Sequence, residues 1–353
     1  LHGAGSADLA PIALMHDLRS LYVEGNSLDY YDLEVIGTLT NLEHLSIPDY
    51  YGETDITPLG QLLKLKTLNL SGAKVTSIEP LSNLTQLKEL DLSYTTVTDF
   101  FAISGLSNLE TLNLATTEIV DLSSLTNLVQ LRFLDLNCNS IRDLTPLESL
   151  KNIEVLDLSG CTFLNDIQAL SGITSLRKLN LDSVSITDIK PLSALDNLEQ
   201  LDLSNTIVNN LTPLKDKTSL ETLLLLYNFD LRDLSPLKNV TSLKVLDFSD
   251  TNVSDLSPLK KLSSLERLAF FDTKVDDLSP LVSLVSLRAL DFNSTSISDL
   301  SPLQYLINLE TLIMSFTNVS DVAPLAGLPL KYIEADDSLQ QKLREMFPNA
   351  DIV

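Results

Sequence analysis

The sequence has no tryptophan. It also has only two cysteines and few basic residues, and each of these two shortages excludes a class of protein or partner. Two cysteines are too few for a disulfide framework, and they offer no metal-ligand spacing. The 24 basic residues stand against 48 acidic ones, so the formal net charge is -24. Nucleic acids and anionic membrane surfaces both require a cationic footprint, so we expect neither as a partner. Neutral or basic protein partners are compatible with this charge.

Long apolar runs and catalytic motifs are missing as well. No uncharged apolar stretch approaches the length of a membrane-spanning helix, so no membrane insertion is expected in this segment. The P-loop, nucleophile-elbow and HExxH motifs are absent, and the three histidines suggest neither a metal site nor a catalytic dyad. We therefore expect no enzyme activity, no cofactor and no metal here.

Leucine, by contrast, is abundant and regularly spaced. The pattern L-x-x-L-x-L recurs in fourteen units from Leu18 to Leu309, most of them 22 residues long, and a last strand begins at Leu330. We number the positions of a unit from its first leucine. A period of this size, with leucine at fixed positions, is typical of leucine-rich repeats, in which a unit buries its apolar face only by stacking on its neighbours.

The unit at residues 243–264 shows the local structure that we expect. The stretch Leu246–Phe248 alternates with the period of a half-buried strand, so positions 1, 4 and 6 should point inward. Ser257 is predicted to cap a helix that has Pro258 at its first position. Because the following segment is too short for more than about two turns, it should be 3-10 or irregular. Eleven of the fourteen prolines occupy this place in their units.

The full motif, L-x-x-L-x-L-x-x-[N/T]-x-[V/I]-x-D-[L/I]-x-P-L-x-x-L, resembles the leucine-rich repeats of bacterial internalin-like surface proteins. The resemblance covers nearly the whole chain. It implies an α/β leucine-rich-repeat solenoid with a curved parallel β-sheet on the concave face, short 3-10 or irregular segments on the convex face and a C-terminal helical cap. Phosphatase-regulator proteins and leucine-rich surface proteins of protozoan parasites are similar in repeat class.

Position 9 departs from the internalin pattern, in which an asparagine bonds to the backbone of the neighbouring turn. Asparagine occurs there only at Asn26, Asn139 and Asn228. Threonine fills the position at Thr95, Thr117, Thr206, Thr251, Thr273, Thr295 and Thr317. Since threonine can donate one hydrogen bond, we expect a weaker ladder.

Cys161 also lies at position 9 and should be buried, whereas Cys138 should be exposed, so a disulfide is not expected.

The two ends of the chain differ. Residues 8–17 match the second half of a unit, so further sequence is expected before Leu1, because terminal repeats need a cap. Leu339 and Leu343 begin a helical apolar spacing near the C-terminus, which predicts a helix over the last leucine layer. The domains are therefore predicted as 1–17, the end of a preceding repeat, 18–329, fourteen repeats, and 330–353, the last strand and its capping helix.

Two positions near the strand carry charge in a regular order. Position 2 alternates acid and base from strand to strand, with a slip between Glu199 and Glu221, and this predicts surface ion pairs between neighbouring strands. Position 5 alternates acidic and apolar residues along Asp202, Leu224, Asp247, Ala269, Asp291, Ile313 and Glu334. The C-terminal third of the chain thus repeats with a period of two units.

The units with an apolar position 5 carry further apolar residues. The resulting series, on every other strand, is Leu224, Leu226, Tyr227, Phe271, Ile313, Phe316 and Tyr332. One interpretation is drift in a repetitive sequence, because scattered apolar residues are tolerated on surfaces. The other is an exposed patch that binds a protein, joined by the carboxylates of Asp247 and Asp291. These two carboxylates lack the sheltered pocket that acid–base catalysis needs.

The sequence favours a protein-recognition module, part of a surface or secreted bacterial or protozoan protein. It would bind a protein partner on the concave face and would itself be monomeric. Two alternatives stay open. The first is a cytoplasmic scaffold resembling the phosphatase regulators, and the second is the substrate-binding arm of a larger enzyme. A signal peptide or wall anchor outside these residues would argue against the cytoplasmic scaffold. A catalytic domain in the full protein would indicate the substrate-binding arm.

Overall fold

The computed structural model describes residues 9–23, 28, 30–50 and 55–353. The chain divides into two compact units, Leu1–Leu176 and Arg177–Val353. Both are built from coils in which a three-residue strand is followed by a tight turn and, in most coils, a short 3-10 helix. The strands are this short because only positions 3 to 5 of each repeat run straight before the chain turns away.

Within each unit, consecutive strands pair in parallel with their neighbours. The strands of the first unit are β1 Ser20–Tyr22, β2 His44–Ser46, β3 Thr67–Asn69, β4 Glu89–Asp91, β5 Thr111–Asn113, β6 Phe133–Asp135 and β7 Val155–Asp157. Those of the second unit are β8 Lys178–Asn180, β9 Gln200–Asp202, β10 Thr222–Leu224, β11 Val245–Asp247, β12 Arg267–Ala269, β13 Ala289–Asp291, β14 Thr311–Ile313, β15 Tyr332–Glu334 and β16 Asp351–Ile352.

Short 3-10 helices connect the strands, as the sequence predicted, and one more precedes β1. In the first unit they are Ala10–Leu14, Thr57–Gln61, Glu79–Asn83, Phe101–Gly105, Ser123–Leu125, Thr145–Ser149 and Gln168–Gly172. In the second unit they are Lys190–Ala194, Thr212–Leu214, Ser235–Asn239, Ser257–Lys261, Ser279–Leu281, Ser301–Tyr305 and Ala323–Leu325. One coil instead carries an α-helix, α1 Tyr30–Gly37, because its repeat is two residues longer than most.

The predicted C-terminal helix is present as α2, Asp337–Met346. Leu339 and Leu343 are buried on its inner face, and Phe347 beyond it is buried as well. The strand β16 follows the helix and pairs with β15, so the last coil does not end in an unpaired strand. Together these elements confirm a leucine-rich-repeat solenoid with a parallel sheet, short 3-10 segments and a helical C-terminal cap.

The predicted helix cap at Ser257 is wrong. The 3-10 helix starts at Ser257 itself, and the residue before it, Leu256, caps it without a side-chain hydrogen bond. The carboxylate of Asp255 accepts the Ser257 N–H at 2.7 Å and the Ser257 hydroxyl at 2.7 Å. A carboxylate two residues upstream is a stronger acceptor than a serine hydroxyl, which explains why aspartate recurs at this place in most repeats.

The threonine ladder forms, and each described threonine closes its own coil. The Thr251 hydroxyl donates to the carbonyl of Phe248 at 2.7 Å, three residues earlier, and the other described position-9 threonines bond in the same way. The Asn139 amide reaches further and donates to Leu136 O at 2.9 Å and to Leu114 O of the preceding coil at 2.8 Å. Asparagine therefore donates across to the preceding coil, whereas threonine donates within its own turn and bonds to another coil where an asparagine oxygen lies beside it, as at Thr206 and Asn228. The predicted Asn26 lies outside the described residues.

Candidate partner-binding surface

The strand alternation sets which side chains form the exposed sheet face. Position 4 is buried in every strand of the second unit from β8 to β15, while positions 3 and 5 are half-buried or exposed. The strand register then aligns equal positions into two rows across β10 to β14. Position 5 gives the row Leu224, Asp247, Ala269, Asp291 and Ile313, and position 3 gives the row Thr222, Val245, Arg267, Ala289 and Thr311.

A depression of about 550 Å³ lies on these two rows. Its lining combines all ten of these side chains with the buried leucines beneath them. The small side chains of Ala269 and Ala289 in the middle of the rows leave the space open, while Leu224 and Ile313 close the position-5 row at its two ends. We call this surface the sheet depression.

Four of the nine predicted site residues line the sheet depression: Leu224, Asp247, Asp291 and Ile313. The other five predicted residues, Leu226, Tyr227, Phe271, Phe316 and Tyr332, do not. Leu226, Tyr227, Phe271 and Phe316 follow the strands at positions 7 and 8 and belong to the turns. The apolar series is therefore divided between the sheet face and the turn edge.

Sequence reasoning missed five residues of the sheet depression: Thr222, Val245, Arg267, Ala289 and Thr311. All five lie at position 3, where the predicted site included only Tyr332, because the pattern was sought at positions 2, 5, 7 and 8. The period-two alternation of a strand was the available signal, because positions 3 and 5 must point to the same side. Arg267 changes the character of the surface most, since it brings a guanidinium onto a face otherwise lined by acids and apolar groups.

The turn edge has a conformational constraint of its own. Position 8 adopts a positive φ in every described coil from β2 to β14, including Tyr227 at 59° and Phe316 at 55°. This left-handed region suits glycine and asparagine, and bulky side chains there cost about 1–2 kcal/mol. Phe316 is nevertheless 75% exposed and Tyr227 39% exposed. Tyr227 also lies beside Phe229, with ring centroids 6.3 Å apart.

The acids at position 5 have a structural role that the sequence did not reveal. The Asp247 carboxylate accepts the Ser249 N–H at 3.0 Å, and the Asp291 carboxylate accepts the Asn293 N–H at 3.1 Å. Aspartate and asparagine close this turn in the same way elsewhere, as Asn113 does with the Ala115 N–H. The bond needs only a side-chain oxygen two residues before the N–H, which either residue type supplies.

In the coil of Ala269 the turn finds another acceptor. The Phe271 N–H donates to the Ser249 hydroxyl of the preceding coil at 3.2 Å, because Ala269 has no acceptor. This turn therefore depends on a neighbouring coil. The Phe316 N–H is a different group, at position 8, and donates to Asp336 Oδ1 of the following coil at 2.9 Å, whereas the Tyr227 N–H at the same position donates to the backbone oxygen of Ser249 in the next coil.

Burial governs the titration of the carboxylates in the sheet depression. It raises the pKa of Asp247 above its usual 3.8, and the nearby Asp202 charge adds to this, while the Ser249 hydrogen bonds and Arg267 oppose it. Burial raises the pKa of Asp291 as well, with further contributions from the charges of Asp247 and Glu334. The environment of both carboxylates thus disfavours their charged form.

Replacing Asp247 by asparagine is expected to stabilise the protein at pH 7. Asparagine keeps the turn acceptor and removes the buried charge. Because the folded pKa of Asp247 lies above the unfolded one, the wild type loses stability as pH rises through the folded pKa. The advantage of Asp247→Asn should therefore shrink to nearly zero as pH falls below about 3.8. Urea unfolding of both proteins at several pH values measures the difference in their free energies of unfolding.

Asp255→Asn is the control variant, for which we expect the opposite change in stability at pH 7. The Ser257 hydrogen bonds lower the pKa of Asp255, so its charge stabilises the folded protein above the unfolded pKa, and that stability is lost as pH falls through the folded pKa. Asp255→Asn should therefore be less stable than the wild type at pH 7, and the deficit should fade in acid. Equal effects of the two substitutions at pH 7 would contradict this account.

The predicted ion ladder at position 2 is confirmed as salt bridges between neighbouring strands. Arg177 and Glu199 lie 2.7 Å apart, and Lys244 and Glu221 lie 2.9 Å apart. Glu310 lies between two cations, with Arg288 at 3.3 Å and Lys331 at 2.7 Å. The first unit has the same arrangement at Arg19–Glu43, Lys66–Glu43, Lys88–Glu110 and Arg132–Glu154. These pairs are exposed to solvent, which screens them, so each contributes little stability.

The cysteines behave as predicted. Cys138 is exposed, Cys161 is buried, and both are free thiols. Burial raises the pKa of the Cys161 thiol to about 11, so it behaves as a small buried side chain. Within residues 9–23, 28, 30–50 and 55–353, His, Cys, Asp and Glu side chains form no group suited to a metal ion. In the same part of the chain, no helix has the length and apolarity needed to span a bilayer.

Comparison with known proteins agrees with this geometry. A family model described as leucine-rich repeats in two copies matches residues 63–100, 85–127, 129–172 and 241–283. A sequence search of curated proteins finds no match.

Solved structures give a closer comparison. An internalin, InlF, from Listeria monocytogenes is 31% identical, with 85% of this chain and 88% of that chain covered and a TM-score of 0.80. A leucine-rich-repeat protein of Leptospira interrogans is 22% identical, with 99% and 100% covered and a TM-score of 0.84. The plant peptide hormone receptor RGFR1, solved in complex with RGF2, is 19% identical, with 91% and 63% covered and a TM-score of 0.64. The chain therefore belongs to the leucine-rich-repeat proteins and, among them, resembles the internalins.

Proposed function

We propose that this chain is the ligand-recognition part of a surface or secreted protein and that it binds a protein partner in the sheet depression. The observation that carries the proposal is the depression itself, where apolar side chains, two carboxylates and one guanidinium share an open sheet face. Apolar area with a few polar groups that fix orientation is the usual composition of a recognition surface.

The kinship with an internalin supports a location at the cell surface or outside the cell. The role is non-catalytic in this proposal, because the two carboxylates of the depression lie on an open face and each is committed to a turn hydrogen bond. The turn-edge aromatics Tyr227 and Phe316 are exposed, and we place them at the rim of the contact.

Photo-cross-linking tests where a partner binds. Benzoylphenylalanine would replace Ala289 in the depression or, as a control, Lys261 in the 3-10 helix, and each protein would be mixed with host-cell surface extract and with lysate of the source organism. We expect a specific adduct from position 289 and none from position 261. Its origin in one of the two extracts would separate a surface protein from a cytoplasmic scaffold.

A matched pair of variants makes the result specific. Leu224→Asp/Ile313→Asp places at position 5 the residue that neighbouring coils already carry, so the coil should fold, and the adduct should disappear. Phe316→Asp changes the turn edge alone and should weaken the adduct only slightly. An adduct that survives the double substitution, or one that forms only from position 261, would refute binding in the depression.

A further inference from the structure

The exposed sheet face from β9 to β15 carries a charge imbalance. Position 5 supplies four acids, Asp202, Asp247, Asp291 and Glu334, on alternate strands. Position 3 of the same strands supplies one cation, Arg267, so the two rows together carry a charge of 1 - 4 = -3. Within the part of the chain that the structure describes, no carboxylate lies within salt-bridge distance of Arg267. The face therefore favours a partner with positive charge.

The space between the central acids suits a cationic side chain. Asp247 and Asp291 flank Ala269, and the small methyl side chain of Ala269 leaves space between the two carboxylates. The turn N–H groups bond to Oδ1 of both carboxylates. The apolar side chains of Val245, Ala269 and Ala289 would contact the aliphatic stem of a lysine or arginine whose charged end lies between the acids.

The spacing of the acids selects the conformation of the partner. Neighbouring strands lie about 4.8 Å apart, so acids on alternate strands repeat every 9.6 Å or so across the sheet. A polyproline-II segment rises about 3.1 Å per residue and presents the same face every third residue, about 9.3 Å apart. The shortest same-face spacing is about 6.6 Å in an extended β-strand and about 5.4 Å in an α-helix, and both are well below the spacing of the acids.

We propose that the sheet depression binds a protein segment in polyproline-II conformation that crosses the strands and carries a lysine or arginine at every third residue. One basic side chain lies between Asp247 and Asp291, and the segment's next basic residues approach Asp202 and Glu334. Leu224 and Ile313 contact the intervening residues. This inference rests on the proposed function and names the chemistry of its partner.

Two synthetic peptides of equal length and composition test the spacing. One repeats Lys-Pro-Pro, which places lysine at every third residue, and the other has the same lysines at alternate residues followed by the remaining prolines. Both carry a terminal fluorophore, and fluorescence anisotropy at low salt measures their affinities for the whole chain. We expect the Lys-Pro-Pro peptide to bind about tenfold more tightly, since only its lysines match the acids.

Asparagine variants test which carboxylates are responsible. Asp247→Asn/Asp291→Asn keeps both turn hydrogen bonds and removes both charges, and it should abolish the preference between the peptides. Asp135→Asn/Asp157→Asn makes the same change at position 5 of the first unit, where the aspartates close the same turn, and it should leave the preference intact. Because asparagine occupies this position at Asn69, Asn113 and Asn180, all variants should fold.

Equal affinity of the wild type for both peptides would overturn the inference, because it would show attraction by net charge alone. A preference that persists in Asp247→Asn/Asp291→Asn would overturn it as well. Neither result depends on cross-linking at position 289. If that adduct forms while the peptides are not distinguished, the surface binds a partner of another chemistry. If the adduct is absent as well, the proposed function also fails.

Discussion

Replacing Phe270 by alanine is expected to lower the free energy of unfolding by about 3–5 kcal/mol. Phe270 is fully buried at position 6 and stacks between Phe248, at a centroid distance of 5.6 Å, and Phe292, at 6.1 Å. Alanine would remove the ring from the middle of this stack and leave a cavity bounded by two rings. The surrounding coils are fixed by their strand pairing and can close the cavity only in part.

Phe270→Leu is the matched control, because leucine fills position 6 in most coils of the first unit. It should cost about 1 kcal/mol, since it keeps most of the buried volume. Urea unfolding followed by circular dichroism measures both variants, and hydrogen exchange shows whether the loss centres on β11 to β13. A loss below 1 kcal/mol or so for Phe270→Ala would mean that neighbouring coils collapse into the space.

Asn228→Ala is expected to destabilise the protein by about 2–3 kcal/mol. The buried Asn228 amide donates to Leu225 O in its own coil and to Leu203 O in the preceding coil, both at 2.9 Å. Its oxygen accepts the Thr206 hydroxyl at 2.7 Å. Alanine would leave Leu225 O without this donor and would remove the bonds that join the two coils, far from water.

Asn228→Thr separates the two contributions. Threonine at position 9 closes its own turn, as Thr251 does with Phe248 O, but it does not reach the preceding coil. This variant should therefore cost about 1 kcal/mol, roughly half of the alanine effect. Denaturant unfolding of the three proteins under one condition gives the comparison. Equal losses for Asn228→Ala and Asn228→Thr would show that the link between coils carries the whole effect.

Phe270 and Asn228 differ from the carboxylates of the sheet depression in their effect on the stability of the folded protein. Phe270 and Asn228 stabilise the coils, whereas the carboxylates of Asp247 and Asp291 are charged against an environment that raises their pKa. Asparagine would close the same turns without that charge, as it does at Asn113. Retention of a charge that opposes stability is typical of a binding surface, where function and stability conflict.

Much of the fold could be predicted because the repeat is short. Leucines at positions 1 and 4 contact the same positions of adjacent coils, so one unit contains nearly all the information about its own packing. The strands, the 3-10 segments, the helix α2 and the ion pairs at position 2 followed from that local pattern. The helix cap at Ser257 did not, because two acceptors compete there and the Asp255 carboxylate is stronger.

The candidate site was predictable only in part. Four of its residues were found through position 5, where an alternating composition shows in the sequence. Arg267 and its neighbours at position 3 were missed because their importance depends on the strands beside them. Lys217 shows the same limit, since it occupies an interior leucine position and is buried, yet its ammonium group reaches Ser193 O at 2.7 Å and Asp196 at 2.9 Å.

The sequence by itself determined the period, the inward face of each coil and the class of fold, because these depend on the burial of leucine by identical neighbours. Tertiary structure decided which side chains share the sheet depression, which turn takes an acceptor from the preceding coil and which position-9 residues link coils. The physical reason is distance along the chain. These contacts join atoms about one repeat apart, and strand register rather than local composition brings them together.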